Sequence, residues 1–142
     1  MFNFARGRRM SPILAAMAIS GTGFLAGNGL AQVPTLFMLN RLDPGMWELR
    51  ERDTHGARRQ LCIAHGRKLI QVRHPEERCQ SFTVEDTAAV VTVQYTCRSS
   101  GYGRTRIRFE NAGLAQIETQ GIVNGEPFDF TAEARRIGAC SP

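Results

Sequence analysis

The sequence predicts a single all-β domain, an antiparallel meander that forms a small partial or closed barrel stapled by disulfides. Three observations support this prediction. Apolar and polar residues alternate through most of the chain after residue 45, hairpin-forming pairs such as Asn124-Gly125 separate the alternating runs, and four cysteines follow an export-type leader. Without the first 31 of its 142 residues, the chain is long enough for one small core and no second domain.

Residues 1–31 are typical of a secretory signal peptide. Three arginines (Arg6, Arg8 and Arg9) precede a mostly apolar run, and small residues lead up to Gln32. Glycines interrupt the apolar run, so it is too short to cross about 30 Å of hydrocarbon. We therefore expect cleavage, no transmembrane span afterwards, and a periplasmic or secreted protein. Residues 32–41 are predicted to be an N-terminal linker, and residues 42–140 the β domain.

Charge and composition exclude several classes of protein. Hydrophobic residues make up 42% and charged residues 22%, which is ordinary for a globular domain. The formal charge is +5, but three of the 18 basic residues and none of the 13 acidic residues lie in the leader. The mature part therefore carries about +2, which gives no electrostatic reason to expect a nucleic-acid partner.

The first half of the mature chain predicts four strands. Alternation indicates strands at 46–52 and 58–63, followed by a long connection over 64–78 that has room for one helical turn. Residues 81–85 and 88–97 then form a hairpin, and its second arm is rich in valine.

The second half predicts a three-stranded meander over 105–110, 114–123 and 128–137. The first turn is a three-residue loop at 111–113, with Gly113 expected in the left-handed conformation, and the second is the Asn124-Gly125 pair. These turns place Arg106 opposite Glu118 and Phe130 opposite Thr119.

This register gives the meander two different faces. It also places Ile107 opposite Ile117 and Phe128 opposite Gly121. The inner face is then apolar, with Ile107, Phe109, Ile117, Phe128, Phe130 and Ala132. The outer face is charged, with Arg104, Arg106, Arg108, Glu118, Asp129 and Glu133. Because the carboxylates flank the three arginines, we interpret the arginines as a solvated outer face and not as an anion-binding surface.

The even number of cysteines predicts two disulfides. The strand directions bring Cys79 beside Cys97 and, if strand 46–52 pairs with the last strand, Cys62 near Cys140. A two-residue turn at 86–87 would send Cys79 and Cys97 to opposite faces, so this pairing needs a longer turn or a bulge. The alternative, Cys62–Cys79 with Cys97–Cys140, stays open.

The sequence shows no catalytic constellation. It has no Gly-x-Ser-x-Gly elbow, and no serine or cysteine with an identifiable base, so we expect a protein that is not an enzyme and has no cofactor. A mixed zinc site on Cys62, His65, His74 and Cys79 is a weaker alternative. Such sites have tighter ligand spacing, and export favours oxidised cysteines, so we expect no metal.

The apolar inner face is the candidate ligand site. Trp47, Phe109, Phe128 and Phe130 are the residues expected to face a ligand, and small residues at Thr119, Gly121, Ala132 and Ala134 leave space for one. We therefore predict a non-catalytic envelope protein that holds a small hydrophobic molecule or a partner segment. A structural or interaction module with a filled core is the alternative, and a metal-binding protein is a third.

One segment adds a family resemblance. Pro44-Gly45-Met46-Trp47-Glu48 resembles the opening of the domain-of-unknown-function 3617 family of small exported bacterial proteins. The cysteines at 62, 79 and 97 and the ending Arg-Arg-Ile-Gly-Ala-Cys at Cys140 follow in the same order. The family's methionine- and proline-rich stretch between the first two strands is missing. The resemblance, which covers about 42–140, implies export and a mostly β fold but no activity or catalytic residue.

Overall fold

A computed structural model describes residues 35–52, 56–75 and 78–141, and its main feature is one seven-stranded antiparallel sheet. The predicted signal peptide and the start of the predicted linker lie outside the described residues. The strands are β1 (Gly45–Glu51), β2 (Arg58–Ile63), β3 (Cys79–Asp86), β4 (Val90–Cys97), β5 (Gly101–Asn111), β6 (Leu114–Val123) and β7 (Glu126–Gly138). Two short 3₁₀ helices, Phe37–Arg41 and Gly66–Leu69, complete the described secondary structure.

The sheet has the order β2-β1-β7-β6-β5-β4-β3, so it is an antiparallel meander with one long-range pairing. That pairing joins β1 to β7, the first strand to the last, as the barrel prediction requires. The edge strands β2 and β3 are not paired with each other, and the sheet therefore stays open. Of the two predicted outcomes, the partial barrel is the one that forms.

The predicted register of the meander is confirmed. Arg106 lies opposite Glu118, and Phe130 lies opposite Thr119. Asn124 and Gly125 have φ values of 52° and 85°, the conformation that a tight hairpin turn of this kind requires. The two turns determine which residues of neighbouring strands lie opposite each other and therefore on the same face. The apolar residues face inward and the charged residues face outward, as predicted.

The turn at 111–113 forms for a different reason than the sequence suggested. Gly113 does not adopt the left-handed conformation. Instead, the Asn111 side-chain oxygen accepts a hydrogen bond from the Gly113 N–H at 2.9 Å, and a bulge lies between Phe109 and Asn111. The asparagine supplies the turn geometry that we assigned to the glycine.

Both disulfides have the favoured connectivity. Cys79 and Cys97 lie directly opposite each other with Cα atoms 4.2 Å apart, and the Cα atoms of Cys62 and Cys140 are 5.5 Å apart. A bulge between Thr83 and Glu85 brings Cys79 and Cys97 to the same face. The turn between β3 and β4 is also longer than two residues. The Thr87 hydroxyl stabilises this turn by accepting a hydrogen bond from the Val90 N–H at 2.9 Å.

The described part of the predicted linker belongs to the core, which corrects the linker assignment. Leu36, Met38 and Leu39 are buried, with Met38 and Leu39 fully inaccessible to solvent. They pack over the inner face, where the 3₁₀ helix Phe37–Arg41 contacts β4 and β5. An open sheet leaves its inner face uncovered, and this apolar segment covers part of it.

The connection between β2 and β3 covers another part of the inner face. It contains the expected helical turn as the 3₁₀ helix Gly66–Leu69. Its buried residues are Gly66, Leu69, Ile70, Val72 and His74. The connection is therefore a core element and not a surface loop.

Substitutions on the two faces of the meander should have very different effects. Phe130 is 3% exposed, so Phe130→Asp removes a buried ring and buries a carboxylate, at a cost of several kcal/mol, and should unfold the domain. Arg106 makes only exposed ion pairs, at 4.0 Å with Glu85 and 3.7 Å with Glu118. Arg106→Ala should therefore change the free energy of unfolding by less than about 0.5 kcal/mol. Thermal melts that show equal damage would contradict the assignment of the faces.

Peptide mapping without reductant tests the disulfide connectivity. Digestion of the oxidised protein should yield one linked pair that contains Cys62 and Cys140 and another that contains Cys79 and Cys97, because these pairs have adjacent Cα atoms. A linked peptide that contains Cys97 and Cys140 would contradict both the connectivity and the strand directions.

Candidate functional site

The four aromatic residues predicted to face a ligand divide between the core and its margin. Trp47 is fully buried, and its indole N–H donates a hydrogen bond to the Asp43 carbonyl at 2.9 Å. Phe130 is also buried, whereas Phe109 and Phe128 are partly buried and pack against the core. The Arg41 guanidinium lies 3.9 Å from the centre of the Phe109 ring. Protein groups therefore pack around Trp47, Phe109 and Phe130, whereas Phe128 borders a cleft of about 380 Å³.

Three of the four small residues of the inner face (Thr119, Ala132 and Ala134) are covered as well, whereas Gly121 is half-buried and lines a second cleft with Phe128. Thr105 donates a hydrogen bond from its hydroxyl to the Ile70 carbonyl at 2.7 Å, and its oxygen lies 2.8 Å from that of Thr119. Ala132 and Ala134 have no solvent exposure. This arrangement favours the filled-core alternative over a hollow interior.

A buried polar group at one end of the inner face centres on His74. His74 is 2% exposed, with Nδ1 3.2 Å from the Tyr95 hydroxyl and Nε2 3.4 Å from the Ser100 carbonyl oxygen. A side chain at Gly103 would overlap the Tyr95 ring, so the glycine makes room for the tyrosine. His74 thus has two polar neighbours in the core and is a packed structural histidine.

The alternative of a metal site on two cysteines and two histidines is wrong. Cys62 and Cys79 are bonded to Cys140 and Cys97, so neither has a thiolate to offer. His74 is enclosed in the core beside Tyr95. Among the residues that the structure describes, no group of three or more potential ligands could hold a metal ion.

A cationic cleft lies between β2 and the β2–β3 connection. Its volume is about 420 Å³. The described residues that line it are Arg59, Leu61, Cys62, His65, Arg67, Lys68, Gln71, Val72 and Pro75. Three of these side chains are cationic, and none carries a carboxylate.

Backbone carbonyls hold the three cations in place. Arg59 donates to the Val72 carbonyl at 2.6 Å, Arg67 to the Thr35 carbonyl at 2.7 Å, and Lys68 to the Cys62 carbonyl at 3.5 Å. A carbonyl orients a cation without neutralising it. No ion pair joins these three side chains to a carboxylate of the described residues, whereas Arg106 of the outer face has two such partners.

The cleft also has an apolar part and an unpaired donor. Leu61 is partly buried and Val72 is 3% exposed, so the cleft adjoins the core. The side-chain nitrogen of Gln71 is inaccessible to solvent and has no hydrogen-bond partner among the described residues. An amide donor in this position costs free energy unless it is paired.

Sequence analysis missed this cleft, although one signal was present. Residues 57–75 include five arginines and lysines and two histidines but no aspartate or glutamate; Glu76 and Glu77 come next. The run spans the strand 58–63 and the connection 64–78, two separate elements in the sequence pattern, so alternation alone does not reveal its combined charge. The fold then brings the two parts together.

The described fold and site define a disulfide-stapled partial barrel with a filled inner face and a cationic cleft at its edge. No family model, curated protein or solved structure matches the chain. None of the described helices has the length and apolar character needed to cross a membrane.

Stability should fall at alkaline pH because of Tyr95. Burial raises the pKa of its hydroxyl from 10.0 to about 12, and a hydrogen bond with Thr105 partly opposes this shift. The unfolded chain thus loses this proton at lower pH than the folded protein. The stabilisation is complete below pH 10 and is lost as the pH rises through about 12.

Chemical denaturation at several pH values between 9 and about 12 tests this effect. Tyr95→Phe should make the decline shallower than in the unmodified protein. Tyr102→Phe, which removes an exposed tyrosine hydroxyl, is the matched control and should leave the decline as it is. Equal declines in the unmodified protein and both variants would show that Tyr95 is not responsible.

Proposed function

We propose that this protein is an exported, non-catalytic binding protein that holds a small anionic ligand in the cationic cleft. The observation that carries the proposal is the lining itself, in which Arg59, Arg67 and Lys68 converge without a carboxylate among the described lining residues. Like charges held close together repel each other, and a bound anion relieves this repulsion.

Arginine and lysine are suited to this role. A guanidinium presents several N–H donors in a plane that matches a carboxylate or phosphate, and an ammonium adds a point charge. Each hydrogen bond to a charged group contributes about 1.5–3 kcal/mol. Two or three such bonds, less the cost of ordering the ligand, correspond to dissociation constants on the order of micromolar to millimolar.

Export is the second part of the proposal. The leader pattern of residues 1–31 supports it, and so do the two disulfides, since disulfides persist in oxidising compartments. The periplasm is the location that we propose, with secretion as the alternative. Recovery of a mature chain that starts at Gln32 from a periplasmic extract would support this part. A full-length chain confined to the cytoplasm would contradict it.

A structural or interaction module with a filled core is the second candidate function. The cover that Met38, Leu39 and the β2–β3 connection form over the inner face favours it, because this cover occupies the site that a hydrophobic ligand was expected to fill. The two candidates differ in whether they bind a small anion: the binding protein must do so, and an interaction module need not.

Titration of the folded protein with inorganic phosphate tests the proposed function. We expect saturable binding by calorimetry, with NMR shift changes concentrated in residues 59–75. The variant Arg67→Gln/Lys68→Gln should weaken binding about tenfold or more, because it removes two of the charge-assisted hydrogen bonds.

The matched control is Arg104→Gln/Arg106→Gln, which removes the same charge from the outer face. It should change phosphate affinity less than about twofold, since exposed charges outside the site are screened by salt. Equal weakening by the two double variants would show non-specific attraction. No saturable binding in the unmodified protein would leave the interaction module as the better candidate.

A further inference from the structure

We infer that the ligand of the cationic cleft is an anionic amphiphile, with one hydrocarbon chain and a carboxylate or phosphate headgroup. This inference rests on the proposed function and specifies the chemical class of the ligand. The relevant observation is that cationic and apolar side chains line the same cleft.

Polarity changes in order along β2. Arg59, Leu61 and Ile63 alternate with the other residues of the strand, so all three side chains lie on the same face. Ile63 is fully buried in the core, Leu61 is partly buried, and Arg59 is exposed. Ile63 does not line the cleft, so a ligand there meets the partly buried Leu61 beside the exposed guanidinium of Arg59.

The β2–β3 connection repeats this arrangement on the opposite wall. Val72 is buried, and its carbonyl accepts the hydrogen bond from Arg59. Lys68 and Arg67 precede it in the chain and line the same cleft. Cations and apolar side chains therefore come from both walls, as recognition of an amphiphile requires.

The size of the cleft argues against a bare inorganic anion as the natural ligand. The volume of the cleft is about 420 Å³. This volume lies within the range of about 300–1,000 Å³ for pockets that hold whole small molecules. A phosphate ion would fill only part of the cleft and leave the exposed part of Leu61 uncovered.

The polar groups also argue against a purely hydrocarbon ligand. Such a molecule would cover three cations without replacing their hydration, at a large cost in free energy. An anionic headgroup offers oxygen acceptors to the three cations, and its chain covers the exposed part of Leu61.

A series of alkyl phosphates of increasing length, used below their micellar concentrations, tests the inference. Burial of one methylene strengthens binding about fourfold, so affinity should rise steeply from phosphate to butyl and hexyl phosphate and level off when the apolar part is filled. Alkyl carboxylates of the same lengths form a second arm that distinguishes the two headgroups. Calorimetry gives the dissociation constant of each compound.

Two variants separate the contribution of the chain from that of the headgroup. Leu61→Ser should flatten the dependence of affinity on chain length, because it removes apolar contact with the chain. Ile137→Ser removes a similar side chain that is 48% exposed and lies outside the cleft lining, and it should change neither phosphate affinity nor the dependence on chain length. Since the series in the unmodified protein is decisive by itself, the test does not depend on the stability of a variant.

The outcomes distinguish the inference from the proposed function. If phosphate binds and chain length has no effect, the amphiphile is wrong and the anion site stands. If neither phosphate nor any alkyl anion binds, both proposals are wrong. Binding to phosphatidylglycerol vesicles without binding to free alkyl anions would show attraction to a membrane surface and would also overturn the inference.

Discussion

The antiparallel pairing of β1 with β7 is the constraint on which the rest of this structure depends. It joins the first strand of the sheet to the last, between residues more than 80 positions apart. This pairing attaches the β1–β2 hairpin to the rest of the sheet, so that β2 forms one edge of it. It also brings Cys62 close to Cys140. The cationic cleft forms along that same edge strand.

Because the sheet stays open, segments outside the strands must complete the core. The N-terminal 3₁₀ helix and the β2–β3 connection both contribute buried apolar residues, and their backbones cover the inner face. The connection has two roles, since its buried residues stabilise the core while its exposed cations line the cleft. This division explains how a packed interior and a cationic cleft can exist in one small domain.

Local rules in the sequence predict much of the fold but little of the site. Asn124-Gly125 and the alternation around Ile107 determine a register that the structure confirms, because turn geometry and strand periodicity act over a few residues. The burial of Met38 and Leu39, in the predicted linker 32–41, could not be foreseen from the sequence. These apolar residues do not alternate with polar ones and have no strand partner. The cleft could not be predicted residue by residue, since Arg59 and Lys68 meet only after the connection folds back against β2.

The arrangement of the two disulfides has a consequence for how the chain matures. The bridge from Cys79 to Cys97 lies inside the loop closed by Cys62 and Cys140, so the first cysteine in the chain is bonded to the last and the two middle ones to each other. If the chain appears N-terminus first, an oxidant that acts on it at once would join Cys62 to Cys79, because Cys79 is the next thiol to appear. Correct maturation therefore requires Cys62 to remain reduced until the C-terminus is present, or a thiol-exchange catalyst to reshuffle the early bond. The nested order makes the redox environment of the newly made chain, as well as its amino-acid sequence, a determinant of whether this domain forms.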